Sequence, residues 1–152
     1  MTLYEITSDI FKVHERYNLK DPYYAHCISA DIAMGAGIAK QFDERFHIKD
    51  KLNAAWPDRP RIVSYPSCFR VDHIYNIITK ERYWHKPTYD TLQAGLFSLR
   101  DLIIKDHVKV LVIPKIGCGL DQLKWDKVKP MIMKTFTGLD ITIFICDKPQ
   151  ED

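Results

Sequence analysis

The chain has 152 residues, 46% of them hydrophobic and 28% charged, with a formal net charge of +2. That is long enough to bury a core and ordinary for one globular domain. No apolar run approaches the roughly 20 residues of a membrane span, and so small a charge argues against a general nucleic-acid binder. Glu5 and Asp9 interrupt the first apolar stretch, unlike a signal peptide. Cys27, Cys68, Cys118 and Cys146 form no close pair and no Cys-x-x-Cys. That spacing matches neither a disulfide framework nor a zinc ribbon, so free thiols and a cytoplasmic setting are expected.

No repeat, linker or low-complexity segment divides the chain, and a single domain over 1–147 is expected, followed by a polar tail at 148–152. The first strand is predicted over 3–7, ending at Ser8-Asp9. The second, over 23–28, follows the turn signal Lys20-Asp21-Pro22. A loop with Gly35 and Gly37 comes next. It leads into a helix over 36–46 that carries Ile38, Phe42 and Phe46 on one face, and a short helix over 50–56 is stopped by Pro57. Strands are predicted over 61–65 and 73–79, with a turn at 66–70 between them. Pro87 suits a first helical position, and from it Leu92, Leu96, Leu99 and Ile103 keep helical spacing to about Asp106. Gly95 lies inside that helix, at a cost of about 1 kcal/mol unless it permits close packing. A near-continuous apolar strand over 108–113 precedes Pro114 and a second glycine pair, Gly117 and Gly119. A helix over 123–136 and a strand over 141–146 complete the chain. Strands alternating with helices predict the α/β class with a mostly parallel sheet.

The two glycine pairs are the most telling feature. Each follows a strand and precedes helical spacing, so each offers bare amides and the positive end of a helix to an anion. Two such loops point to one diphosphate held from both sides, at the carboxyl edge of the sheet. Neither loop is a Rossmann or P-loop signature. Around them stand side chains with two readings each. Asp9 is a turn carboxylate or an acceptor for an adenine amino group. Lys80 is a solvated strand-end charge or, partly buried, an amine able to attack a sugar aldehyde. Asp121 caps the last helix or serves as a base beside the bound anion. His85 and Lys86 begin the helix after Pro87 or form part of a cleft wall. His26 and Cys27 lack a third metal ligand at suitable spacing and read as buried strand residues. Cys118 reads as a small loop residue, and Trp56, Trp84 and Trp125 as core or helix-anchoring residues.

The stretches Asp9-Ile10-Phe11, Ala25-His26-Cys27-Ile28-Ser29, Met34-Gly35-Ala36-Gly37-Ile38-Ala39, Ile78-Thr79-Lys80, His85-Lys86-Pro87-Thr88-Tyr89 and Pro114-Lys115-Ile116-Gly117-Cys118-Gly119-Leu120-Asp121 occur in this order. Together they resemble a macro domain of the terminal ADP-ribose protein glycohydrolase (O-acetyl-ADP-ribose deacetylase) type, from Glu5 to Cys146. The resemblance implies a three-layer α/β/α fold with a mixed, mostly parallel sheet of about six strands and ADP-ribose across the strand ends. Asp9, Ile10 and Phe144 would meet the adenine. Ser29 and the backbone of Met34, Gly35, Ala36, Gly37 and Ile38 would line the distal ribose and phosphates, and His26 would also contact the ligand. Pro114, Ile116, Gly117, Cys118, Gly119 and Leu120 would close from the other side, with Cys146 at the last strand's end. By the same resemblance Lys80 and Asp121 are the catalytic pair. Lys80 would form a lysyl-ADP-ribose intermediate while removing mono-ADP-ribose from acidic side chains or from O-acetyl-ADP-ribose and related esters. No metal or other cofactor is implied, and a monomer with no membrane partner is expected, cytoplasmic or, in a eukaryote, nuclear. A non-catalytic ADP-ribose reader, an ADP-ribose 1″-phosphate phosphatase and a hydrolase of nucleic-acid-linked ADP-ribose are the alternatives. The family usually carries Gly immediately before the adenine-binding Asp, where this chain has Ser8.

Overall fold

The computed structural model describes residues 1–148, and positions 149–152 of the expected tail lie outside the described residues. In chain order the elements are β1 (Thr2–Thr7), a 3-10 turn (Ile10–Lys12) running into the short α1 (Val13–Arg16), β2 (Tyr23–Ser29), α2 (Gly37–Phe46) and α3 (Ile48–Ala55). They continue with β3 (Ser67–Val71), β4 (Ile74–Lys80), α4 (Tyr89–Lys105), β5 (Val110–Pro114), α5 (Trp125–Phe136) and β6 (Thr142–Asp147). The strands form one sheet in the order β1-β6-β5-β2-β4-β3. Every neighbouring pair is parallel except β3 with β4. Five strands therefore end on the same edge.

Apolar residues on both faces of the central strands explain the layering. In β4 the whole run from Ile74 to Thr79 is buried. On one face Leu92, Leu96, Leu99 and Ile103 of α4 join Val128, Ile132 and Phe136 of α5 against Tyr75, Ile77, Leu111 and Ile143. On the other, Phe42 of α2 and Ile48 of α3 pack with Tyr24, Ile28, Ile78 and Val112. The expected helical face holds: Phe42 stacks on His26 and Phe46, with Phe11 edge-on to it.

The expectation for 61–70 is reversed. No strand forms over 61–65, where only Val63 is buried and its N–H donates to the Ala30 carbonyl. The strand lies instead at Ser67–Val71, inside the expected turn, and pairs antiparallel with β4. The reason is the tight connection Asp72-His73. Asp72 adopts φ 51°, a left-handed conformation that Asp tolerates and that suits a short hairpin. Pro87 is also displaced from its expected place. It precedes Thr88, the true cap of α4, whose side chain accepts from the Thr91 N–H while Thr91 Oγ1 accepts from the Thr88 N–H.

Gly95 does permit close packing. A Cβ there would sit 2.5 Å from Ile77 Cγ2, so bare backbone sets the distance between α4 and the sheet. Gly95→Ala is expected to lower the unfolding free energy by about 1–3 kcal/mol through overpacking, even though alanine favours an open helix by about 1 kcal/mol. Chemical denaturation reads this directly, and a stabilised variant would show that α4 lifts off the sheet at little cost.

Candidate active site

The sheet order places the sequence's marked residues in a row. Reading across the carboxyl edge, Asp9 follows β1, Cys146 lies near the end of β6, the second glycine loop follows β5, the first follows β2, and Lys80 ends β4. β1 and β4 lie four strand spacings apart, or about 19 Å. These residues line one continuous cleft of about 890 Å³, a size typical of small-molecule sites. Asp9, Ile10, Ser29, Met34, Gly35, Ala36, Gly37 and Ile38 stand along it. So do Pro114, Ile116, Gly117, Cys118, Gly119, Leu120, Cys146, Lys80 and Asp121.

At the β1 end, Asp9 caps the 3-10 turn, its Oδ1 accepting from the Phe11 N–H at 3.0 Å. The preceding Ser8 is buried and is not among the residues with positive φ, so the turn forms without glycine there. In the middle the two loops meet. Gly37 opens α2 at φ 59°, and a Cβ on it would lie 2.9 Å from Leu120 Cδ1 of the opposite loop. Gly117 has φ 74°, with Leu123 Cδ1 at 3.0 Å from its would-be Cβ. Both positions need the left-handed backbone that glycine adopts freely. The Lys86 ammonium donates to the Leu120 carbonyl at 2.5 Å, tying the start of α4 to the second loop.

At the β4 end, Lys80 Nζ meets Asp121 Oδ1 at 2.6 Å, with side chains only 13% and 15% exposed. A β-bulge between Ile28 and Ser29 brings Ser29 opposite Lys80, and the ladder continues as the Ala30 N–H donates to the Lys80 carbonyl. The amine therefore projects from a fixed backbone. Asp121 does not cap α5, whose first flanking residue is Lys124. Ser29 Oγ donates to Asp31 Oδ1 at 2.5 Å, and the Ala33 and Tyr83 N–H groups also donate to that carboxylate. Asp31 thus organises the first loop from outside.

The cleft's thiols are poor nucleophiles. Burial, and after it the Asp121 carboxylate, hold Cys27 far above the usual thiol range. Burial also raises Cys118, and pushes Cys146 up to about 12 with Asp9 contributing. A thiol kept protonated neither attacks carbon well nor binds metal well. All four cysteines are free.

Two expected site residues lie elsewhere. His26 is fully buried beneath the cleft, stacked on Phe42, with Nε2 2.6 Å from Asn76 Oδ1. Asn76 Nδ2 donates to the Phe69 and Ile74 carbonyls, which orients its amide and makes His26 Nε2 the donor. Phe144 does not line the cleft. It shares a face with Cys146 but sits two residues back from it along β6, and packs against Tyr4 and Tyr17. Conversely, Cys27, Tyr83 and Lys86 line the cleft. Tyr83 carries no sequence signal beyond following Lys80 by three residues, and Lys86 takes the second of its two readings, the cleft wall. Of the tryptophans, Trp125 anchors α5 by donating to Glu5, whereas Trp56 and Trp84 are 47% and 60% exposed rather than core.

His26 links the core to pH. Burial lowers its pKa to about 4, against 6.5 when free. The unfolded chain binds a proton below 6.5 that the folded chain refuses, so stability falls as pH drops from 6.5 towards 4, by about 3 kcal/mol in all. Melting temperatures between pH 7 and 4.5 should decline less in His26→Phe than in the wild type, and parallel curves would remove His26 as the cause.

No family model matches the chain. It is 40% identical over 124 residues to the human ADP-ribose glycohydrolase OARD1, covering 80% of this chain and 78% of that protein. Among solved structures, the macrodomain of Mycobacterium tuberculosis DarG superposes with a TM-score of 0.82 at 22% identity, over 98% of this chain and 99% of that one. Thermosipho africanus DarTG in complex with ADP-ribose gives a TM-score of 0.74 at 18% identity, over 100% of this chain and 43% of that one. The glycine-walled cleft at the sheet's carboxyl edge, the fold and the identity agree, and the chain belongs to the macro-domain family, in the branch that contains OARD1.

Proposed function

We infer that the protein binds ADP-ribose along the cleft and removes mono-ADP-ribose from acidic side chains, and from O-acetyl-ADP-ribose and related esters. The observation that carries this reading is the 2.6 Å Lys80–Asp121 pair at one end of a cleft whose middle is walled by two glycine loops. The relative named an ADP-ribose glycohydrolase and the fold neighbour solved with ADP-ribose support the same ligand. In this reading the adenine lies by Asp9, the diphosphate takes the loop amides, and the distal ribose reaches Lys80.

Lys80 passes a proton to Asp121, and its free amine attacks C1″ of the distal ribose. The N–C1″ bond forms as the C1″–O bond breaks, and the electron pair leaves with the carboxylate. The ribose ring opens to a lysyl imine, which water then attacks with Asp121 assisting its deprotonation. Hydrolysis returns the amine and releases ADP-ribose, so the net reaction consumes one water per ester. The raised thiols favour an amine nucleophile over a cysteine.

The test is turnover of a peptide carrying ADP-ribose on glutamate. Release of free ADP-ribose is expected. Tight binding without release would make the protein a reader, and faster phosphate release from ADP-ribose 1″-phosphate would make it a phosphatase. Asp9→Ala should weaken ADP-ribose binding by about 1.5–3 kcal/mol, the worth of a charge-assisted hydrogen bond, as read by calorimetry. Unchanged affinity would remove Asp9 from the site.

A further inference from the structure

A second cavity of about 550 Å³ adjoins the cleft at its Lys80 end. Ala33 and Tyr83 line both cavities, so the two share a wall there. Three arginines, Arg59, Arg61 and Arg82, line the second cavity together with Trp84. Among the described residues no carboxylate forms an ion pair with any of them. Asp31 is the one acidic residue in the lining, and its oxygens already accept from Ser29, Ala33 and Tyr83. Three guanidinium groups around one hollow repel each other, and an anion entering it relieves that repulsion.

Two of the arginines are held in place. Arg59 donates from Nε to Asn53 Oδ1 at 3.1 Å and from Nη1 to the Pro60 carbonyl at 3.3 Å. The Arg82 guanidinium lies 5.7 Å from the centre of the Trp84 ring, and Tyr83 and His85 meet that ring edge-on. Trp84, 60% exposed, thus supports a cation. Arg82 and Tyr83 follow Lys80 by two and three residues, and the Asp31 N–H donates to the Glu81 carbonyl, so this wall is continuous with the strand that presents the amine.

We propose that this hollow is an acceptor-side subsite, in which Arg59, Arg61 and Arg82 hold the carboxylates of an acidic peptide flanking the modified residue. The inference rests on the hydrolase reading, because it takes the scissile bond to lie at Lys80. Guanidinium forks match carboxylates in pairs. A polynucleotide would use a longer basic stripe with open aromatic faces. Here the cations gather in one hollow, Arg82 lies over the Trp84 ring, and the whole chain carries only +2.

The experiment measures binding of three probes to Lys80→Ala and turnover of the same probes by the wild type. The probes are a peptide with ADP-ribose on glutamate flanked by Asp and Glu, the same peptide flanked by Ser and Gln, and an ADP-ribosylated single-stranded oligonucleotide. The acidic peptide is expected to bind about tenfold more tightly than the neutral one at low salt, as befits several half-exposed ion pairs. That preference should shrink below about twofold at 0.5 M salt. It should also shrink on adding Arg61→Ala and Arg82→Ala together, with affinity for free ADP-ribose kept as evidence of folding. Equal binding of the two peptides, or an oligonucleotide that outcompetes the acidic peptide, overturns the proposal. A wild type that turns over no probe defeats the hydrolase reading alone, since the binding preference is measured without turnover.

Discussion

Lys80→Ala is expected to abolish release of ADP-ribose from a glutamate-linked substrate, by at least about a thousandfold, while still binding free ADP-ribose within a few-fold of the wild type. The asymmetry follows from geometry. Lys80 stands at one end of the cleft and bonds Asp121, while the loops that would hold the diphosphate belong to β2 and β5. Losing a nucleophile raises the barrier to the chemical step and leaves most ground-state contacts intact. Asp121→Asn should also lose rate, by about a hundredfold or more, since it keeps the shape but cannot accept the proton. Single-turnover kinetics beside calorimetry separate the two effects. Equal loss of binding and rate in Lys80→Ala would make Lys80 a binding or folding residue.

The second large effect is expected at Gly37. Its φ of 59° suits glycine, and a Cβ there meets Leu120 at 2.9 Å. Gly37→Val sets a β-branched residue in the left-handed region, at a cost of about 1–2 kcal/mol, and displaces Leu120 from the opposite loop. The start of α2 shifts and the cleft's middle widens, so ADP-ribose affinity should fall at least about thirtyfold. Gly119 provides the contrast. No atom lies within 4 Å of a Cβ built on it, so Gly119→Ala costs the free protein little. If Gly119→Ala nevertheless weakens ADP-ribose binding while the melting temperature holds, the bare backbone there serves the ligand. Unchanged affinity in Gly37→Val would mean that the loops do not grip the diphosphate.

Much of the site was readable because its parts lie in short, local patterns. A strand followed by paired glycines and a helix fixes where bare amides sit, and parallel pairing then brings all such ends to one edge. Asp9, Lys80 and Asp121 were legible as residues at strand ends or in loops, although nothing in their spacing reveals the 2.6 Å contact between positions 80 and 121. That contact depends on β4 and β5 flanking β2, a long-range fact. His26 misled because its motif neighbours line the cleft, Ile28 on its own face of β2 included, while His26 lies further back along the strand, against Phe42. Phe144 misled in depth rather than face. The segment 61–70 was misread because its apolar residues resemble a strand, whereas the left-handed Asp72 that fixes the hairpin gives only a weak sequence signal. The arginine hollow was invisible, since Arg59, Arg61 and Arg82 come together only when the loop after α3 meets the end of β4.

In the proposed cycle the Lys80 amine becomes covalently joined to the sugar. Mass spectrometry of the protein after incubation with ADP-ribose and borohydride tests it most directly, because reduction fixes an imine as a stable amine. One added ADP-ribosyl group is expected, mapped to Lys80 and lost in Lys80→Ala. Turnover of the glutamate-linked peptide with no adduct, or with the adduct on another residue, would contradict it.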